Sequence, residues 1–342
     1  MDPLTIGMLS VLAIVVLVYL GLYIPVALGL VSFVSIWIMS GKSILAFNFL
    51  KVAVGDGVTE YTFATIPLFT LMGLLVSKAR LGRDIYDVMN SAFRKVLAGI
   101  GMATVGANAV FAAITGSSIA SASVFTKISV PEMLRYNYDK RFAVGVVAGS
   151  SVLGMIIPPS AMLIIYSFAA EQSVGDMFLA GIIPGLILTA VYIAAIFVMA
   201  RVWPSYIGEN ISTDELPAMP RDEMFRKSWP VASLILLVLG GIYTGWLTPV
   251  EAGAAGASLA LIVAMARRSI SWPDFWRTLV ETGHITAAIL LLITMASFYS
   301  RMLGYAGLPN QLDALLQAWD MSFFQIMLIY VVLMLVLGTL LD

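Results

Sequence analysis

The chain has 342 residues, of which 60% are hydrophobic and only 11% are charged, and its net charge is −1. A soluble globular domain carries roughly 25% charged residues, so this composition indicates a membrane protein. The nearly neutral balance argues against a nucleic-acid partner, which requires a basic surface. Cysteine does not occur, which excludes disulfides and thiolate chemistry.

Apolar segments of about 17 to 25 residues are candidates for membrane-spanning helices. The first begins after Asp2 with no basic residue before it, whereas a signal peptide starts with positive charge. We therefore expect this first segment to be a retained span. The sequence contains eight such segments, which are 4–20, 24–40, 62–79, 141–169, 177–200, 229–246, 249–266 and 281–303.

Lysine and arginine indicate the orientation, because cytoplasmic loops are enriched in both. With the N-terminus outside, 16 of the 19 basic residues fall on the cytoplasmic side. The polar segment 204–228 is then a cytoplasmic loop. It divides the chain into a first repeat, 1–203, and an incomplete second repeat, 229–342. The basic residues that do not follow the pattern are Lys42, Lys51 and Arg301.

The apolar region 96–130 is flanked by cytoplasmic charges on both sides and is interrupted at Thr115-Gly116-Ser117. Small and hydroxyl residues alone would favour close packing between helices. The charges on both flanks favour instead a re-entrant hairpin that turns at the interruption. Hydroxyl and carbonyl oxygens at such a tip are suitable ligands for a hard cation such as Na⁺.

The apolar segment 141–169 is interrupted between Gly154 and Ser160, where Pro158 and Pro159 remove two backbone donors. A simple kink is the alternative, but two consecutive prolines near a glycine favour an unwound stretch. Opened backbone within a bilayer is tolerated where it lines a cavity, and its carbonyls can bind ions. The sequence does not choose among the candidate carbonyls, which are those of Gly154, Ile156, Ile157 and Pro159.

Five polar side chains are candidates for contact with a substrate. The serines can equally bond back to their own helices. Arg301 has a guanidinium that suits a substrate carboxylate, and the alternative is that its side chain extends to the membrane interface. Asp342 is either a carboxylate at a second tip or simply the last residue. These candidates are Ser118, Ser121, Ser160, Arg301 and Asp342.

A weak internal similarity indicates an inverted repeat, which membrane transporters often contain. Thr70 precedes Gly116 by 46 residues, and Thr294 precedes Gly338 by 44 residues. We therefore expect the tip of a second hairpin at 338–342. A hairpin with one arm leaves backbone groups unpaired in the membrane, so we expect either that the sequence is truncated or that a partner supplies the rest.

At these motifs the chain resembles the large membrane subunit, of the DctM type, of tripartite ATP-independent periplasmic (TRAP) transporters. The resemblance extends from about residue 60 to the end. Thr115 and Val250 depart mildly from the family pattern, where serine and threonine are common, and family members continue further than this chain. The matching stretches are 113–120, 130–133, 154–160, 171–175, 178–185 and 247–252.

The resemblance implies an all-α, multi-span transporter of the elevator type, with inverted repeats, re-entrant hairpins and broken helices. It implies a Na⁺ site shared between Thr115, Ser117 and the second interruption. With no cysteine, one histidine and neither an HExxH nor a GxSxG motif, the residues themselves do not support an enzyme. It also implies import of an organic acid, such as a C4-dicarboxylate or sialic acid, across the bacterial inner membrane. The expected partners are a small membrane subunit, a periplasmic substrate-binding protein and lipid. An ion or solute channel subunit is the alternative function.

Overall fold

The computed structural model describes residues 2–207 and 219–340. Regular structure in these ranges is helical, with short 3₁₀ or π turns. The α-helices are α1 (Pro3–Tyr19), α2 (Ile24–Ser40), α3 (Ser43–Thr59), α4 (Thr65–Lys78), α5 (Leu81–Phe93), α6 (Gly99–Thr115), α7 (Ser118–Arg135), α8 (Lys140–Ser151), α9 (Leu153–Ile156), α10 (Ala161–Ala169), α11 (Val174–Val202), α12 (Arg221–Ile235), α13 (Gly241–Tyr243), α14 (Pro249–Ala266), α15 (Trp272–Tyr305), α16 (Leu308–Ala318) and α17 (Phe323–Leu340).

Each of the eight predicted spans coincides with helix, which confirms the all-α membrane class. Within the described residues, five helical segments are individually long and apolar enough to cross a bilayer, and α8–α9 with α10 form a sixth, bent by 45°. The 17-residue helices α1 and α2 are each about 26 Å long at 1.5 Å per residue, close to the hydrocarbon thickness of about 30 Å. Apolar side chains such as Ile183 and Leu186, 67% and 62% exposed, give α11 a surface suited to lipid.

The chain forms two compact units, one of Met1–Tyr61 with Ala287–Asp342 and one of Thr62–Thr286. This division does not follow the predicted loop 204–228, of which residues 208–218 lie outside the described ranges. The span predicted at 229–246 belongs to the same compact unit as the predicted hairpin. A compact unit is defined by contacts, whereas a repeat is defined by order along the chain. The division into units therefore does not test the repeat boundaries, which stay a prediction.

The first unit is held by close approach of α15 to α2 and α3. A Cβ atom on Gly29 would lie 2.8 Å from the sulfur of Met295, and one on Gly57 would lie 2.7 Å from Thr294 Oγ1. Small residues permit such approach, which matters in a membrane because lipid does not force helices together as water does. The buried core of this unit contains Ile36, Ala46, Ala53, Phe298 and Met302.

Helix α17 passes through the position predicted for the second tip. Gly338 and Thr339 are helical, and Thr339 Oγ1 donates to the carbonyl of Leu335 at 2.7 Å. The helix shows no interruption up to Leu340, and the rest of the predicted tip, including Asp342, lies outside the described residues. The second hairpin therefore stays a prediction.

In the second unit, α4 packs closely on α14. A Cβ atom on Gly253 would lie 3.0 Å from Leu68, and one on Gly256 would lie 2.4 Å from the sulfur of Met72. Phe69 of α4 also meets Phe178 of α11, with ring centroids 5.8 Å apart. These contacts fix α4 between α11 and α14.

Helix α5, which the sequence analysis did not identify, supports the hairpin arm α6. Its residue Gly82 faces Phe111 and Val124 of the hairpin. On another part of α5, Asp87 pairs with Lys227 of α12 at 2.7 Å, and Asp84 pairs with Arg267 at the end of α14. All four charged side chains are less than one third exposed. Helix α5 therefore joins the hairpin to α12 and α14.

Reversal of either charge in the Asp84–Arg267 pair should destabilise the protein, and reversal of both should restore it. We expect Asp84→Arg or Arg267→Asp to lower the free energy of unfolding by about 1 kcal/mol, because each loses a partly buried ion pair and adds repulsion. Thermal unfolding of the purified protein in detergent measures this. Arg268→Asp is the control, because it makes the same charge change at the adjacent exposed residue. A double variant no more stable than the worse single variant would contradict the pairing.

Candidate cation and substrate site

The first interruption is a sharp reversal between α6 and α7. Helix α6 ends at Thr115, and Gly116 follows with φ of 58°, in the left-handed region that glycine adopts without strain. Ser117 is extended, and its Oγ accepts a hydrogen bond from the amide of Ala120 at 3.3 Å. Ser117 therefore caps α7, and Gly116 provides the turn.

The two helices on either side of this reversal form a hairpin. The rings of Phe111 and Phe125 meet edge to face with centroids 5.5 Å apart, although 14 positions separate them in sequence. Fourteen of the seventeen residues of α6 are buried, so this arm lies in the protein interior. Opened backbone at the tip is thus enclosed by protein, as a bilayer requires.

The second interruption separates α9 from α10. Ile157 and Ser160 are extended, and the peptide bond between Pro158 and Pro159 is cis. The hydroxyl of Ser160 donates to the carbonyl of Met155 at 2.6 Å. This hydrogen bond gives a donor to a carbonyl whose helical partner is lost where the helix is broken.

The structure brings the two interruptions together, backbone against backbone. The amide of Ala161 donates to the carbonyl of Gly116 at 3.2 Å. A Cβ atom on Gly116 would lie 2.2 Å from the carbonyl oxygen of Pro159, and one on Gly154 would lie 2.7 Å from the carbonyl carbon of Ser117. Neither glycine can be replaced without movement of main chain.

Further glycines, which the sequence analysis did not assign to the site, line its other sides. A Cβ atom on Gly73 of α4 would lie 2.8 Å from the carbonyl oxygen of Thr115, and one on Gly181 of α11 would lie 2.7 Å from that of Ile156. A Cβ atom on Gly185 would lie 2.7 Å from the side-chain Cγ1 atom of Ile157. The four-residue spacing of Gly181 and Gly185 is the signal that sequence reasoning could have used, because it marks close helix packing.

The resulting site is lined by neutral oxygen atoms. Thr115 Oγ1 donates to the carbonyl of Phe111 at 2.9 Å, so its lone pairs remain available. The hydroxyl of Ser121 is fully buried and has no hydrogen-bond partner among the described residues. Carbonyl and hydroxyl oxygens without a carboxylate suit a hard cation of single charge. Of the predicted ion ligands, Gly116, Ser117, Gly154 and Pro159 lie at this contact, and Thr115 adjoins it against Gly73. Ile156 and Ile157 face Gly181 and Gly185 of α11.

The predicted substrate residues are not all gathered there. Ser118 and Ser121 follow the tip, and Ser160 follows the second interruption. Arg301 belongs to the other compact unit, where it forms an ion pair with Asp56 of α3. Helix α3 was not predicted from the sequence, and so no partner within the protein was predicted for Arg301. Asp342 lies outside the described residues.

Comparison with known proteins points to one transporter family. Residues 11–342 match the family model described as "Tripartite ATP-independent periplasmic transporter, DctM component". This range contains both interruptions and extends beyond the region, from about residue 60, on which the sequence motifs gave the resemblance.

Several curated relatives are similar over most of the chain. The C4-dicarboxylate TRAP transporter large permease protein DctM of Pseudomonas aeruginosa is 29% identical, covering 92% of this chain and 72% of that protein. The sialic acid TRAP transporter large permease protein SiaM of Vibrio cholerae is 29% identical, covering 93% and 73%. The isethionate TRAP transporter permease protein DctMQ of Oleidesulfovibrio alaskensis is 26% identical, covering 95% of this chain and 50% of that protein.

The backbone contact between the interruptions can be tested with two alanine substitutions on the same broken helix. Gly154→Ala should destabilise the protein by about 1–3 kcal/mol, because the new methyl group overlaps the main chain of Ser117 and has no flexible neighbour to displace. Gly145→Ala is the matched control, since a Cβ atom there meets nothing within 4 Å among the described residues, and it should be neutral or stabilising by up to about 1 kcal/mol. Thermal unfolding measures both, and equal stability of the two variants would contradict the contact.

Proposed function

The chain belongs to the DctM component family of TRAP transporters, and from this we propose that it imports an organic acid together with Na⁺ by an elevator mechanism. TRAP permeases are secondary transporters that depend on a substrate-binding protein. The observation that carries the proposal is the backbone contact between the two interruptions around Gly116 and Gly154.

Na⁺ is proposed as the coupling ion because of the chemistry of that contact. Two helices are interrupted side by side, and backbone carbonyls of each interruption pack against a glycine of the other. The carbonyl of Pro159 lies against Gly116, and that of Ser117 lies against Gly154. A Na⁺ ion bound between them would draw the tip and the broken helix into one arrangement. Substrate that requires this arrangement would then bind with positive coupling to Na⁺.

An organic anion is proposed as the substrate from the relatives' names and the character of the site. The named substrates of three relatives are C4-dicarboxylates, sialic acid and isethionate, all of which are organic anions. A bound cation would supply the positive charge that an anion needs, and Ser118 and Ser121 would supply hydroxyl donors. Ser160 could donate to the substrate only by releasing its hydrogen bond to the carbonyl of Met155. Arg301 could join them only by leaving its ion pair with Asp56.

The elevator mechanism is supported by the division into compact units. In an elevator, one unit carries the site while another remains fixed in the membrane. Here both interruptions lie within Thr62–Thr286, and helices α1–α3 lie in the other unit. The proposed orientation, with a periplasmic N-terminus, follows from the distribution of basic residues.

The proposed partners are a small membrane subunit and a periplasmic substrate-binding protein. The family description names a tripartite system, and the permease of Oleidesulfovibrio alaskensis, named DctMQ, matches this chain over half of its own length. The binding protein would deliver the anion to the periplasmic side.

Ser117 gives a direct test of the ion site. Ser117→Ala should raise the Na⁺ concentration for half-maximal uptake by about tenfold or more, because it removes one oxygen that would bind a charged ligand. The measurement is substrate uptake into proteoliposomes containing the permease and its small subunit, with the binding protein outside and an imposed Na⁺ gradient. Ser123→Ala, an exposed serine on the same helix, is the control and should retain wild-type uptake. Wild-type uptake that is equally fast when choline replaces Na⁺ would refute the coupling.

A further inference from the structure

A buried hydrogen bond joins the hairpin to the first half of the broken helix. Asn108 of α6 donates through Nδ2 to Ser150 Oγ of α8 at 2.6 Å, and both residues are at most 1% exposed. The hydroxyl of Ser150 donates in turn to the carbonyl of Val146 at 2.6 Å. Since that hydroxyl has a single hydrogen, Ser150 accepts from Asn108, which fixes the orientation of the amide.

This hydrogen bond lies close to the proposed ion site. Ser150 precedes Gly154 by about one helical turn, and Gly154 packs on the main chain of Ser117. Asn108 lies about two turns before Thr115 on the arm that leads to the tip. Among the side-chain-to-side-chain hydrogen bonds of the described residues, this is the one that links the hairpin with the broken helix.

The bond is unusual because it leaves a polar atom buried without a partner. The other amide atom, Asn108 Oδ1, has no hydrogen-bond partner among the described residues. A buried polar atom without a partner is unfavourable, and replacement of both partners by apolar groups can be nearly neutral. Stability alone therefore does not account for an asparagine here. Polar pairs inside a helical bundle do fix register, because apolar surfaces slide past one another at little cost.

We propose that Asn108 is a positioning residue for the cation site. Its bond to Ser150 holds α6 and α8 in the one register that places the oxygens around Gly116 and Gly154 at the distances a small cation requires. This inference rests on the proposed Na⁺ coupling. It predicts that loss of the bond weakens Na⁺ binding, and that this effect is separate from any loss of stability.

The test is a Na⁺ titration of the purified complete permease, with NaCl replacing choline chloride at constant ionic strength. The readout is the Na⁺ concentration at half-maximal thermal stabilisation, together with the unfolding temperature in choline alone. Asn108→Leu and Ser150→Ala should each raise that Na⁺ midpoint by roughly three- to twentyfold, the range for interhelical hydrogen bonds within membranes. The double variant should shift it no further than the larger single shift.

Ser151→Ala is the matched control. Ser151 is the adjacent residue and is also buried, but its hydroxyl donates only to the carbonyl of Ala148 within its own helix. This variant should keep the wild-type Na⁺ midpoint, whatever its unfolding temperature in choline.

The possible outcomes separate the inference from the function on which it rests. If wild type is not stabilised by Na⁺, both the ion site and the role of Asn108 are overturned. If wild type responds and the Asn108 and Ser150 variants keep its midpoint, Asn108 is only structural while the proposed function stands. If Asn108→Leu does not fold, Ser150→Ala decides, because it removes only the acceptor of the bond.

Discussion

The hydrogen bond from the amide of Ala161 to the carbonyl of Gly116 joins two interrupted helices at the point where each has lost its own hydrogen bonds. In hydrocarbon an opened backbone must find partners within the protein. The surrounding packing follows from that requirement. Gly73 and Gly181 bring α4 and α11 close to the opened segments, and Gly154 brings the broken helix against the tip. Each of these contacts would be blocked by a single methyl group, so the packing around the two interruptions depends on close backbone approach.

A site built from main chain has consequences for how it can bind. Carbonyl oxygens move only when helices move, so the proposed ion between the tip and the broken helix would respond to the relative position of these two elements. Two sets of contacts hold the tip and the broken helix in position. The first is the glycine contacts at the tip, and the second is the hydrogen bond between Asn108 and Ser150, one to two helical turns away. A site of this kind combines weak individual ligands with a well-defined geometry, which is what reversible binding of a transported ion requires.

The sequence predicted the spans and both interruptions, because these depend on local composition. Long apolar segments, Gly116 and the Pro158-Pro159 pair are each visible without knowledge of neighbours. Helices α3 and α5 were missed because charged residues such as Asp56, Asp84 and Asp87 interrupt their apolar character. Those charges are paired in the fold, and the partners lie between 140 and 245 positions away. Neither the pairing of Arg301 nor that of Asn108 could be predicted, since each depends on tertiary contact.

The order of helices bears on the predicted internal repeat, which is weak in sequence. A span, a short amphipathic helix and an apolar arm follow one another as α4, α5 and α6, and again as α15, α16 and α17. The short helices have 13 and 11 residues and the arms 17 and 18, whereas the spans, with 14 and 34 residues, differ in length. The side chains differ as well. Asp84 and Asp87 of α5 bind distant helices, whereas Asp313 of α16 accepts a hydrogen bond from Gln317 within its own helix. In a repeat of this kind, bilayer thickness would constrain the order of elements and the lengths of the arms in both copies, while residue identity would depend on local contacts that differ between them. An alignment of residues would therefore detect little of the predicted repeat.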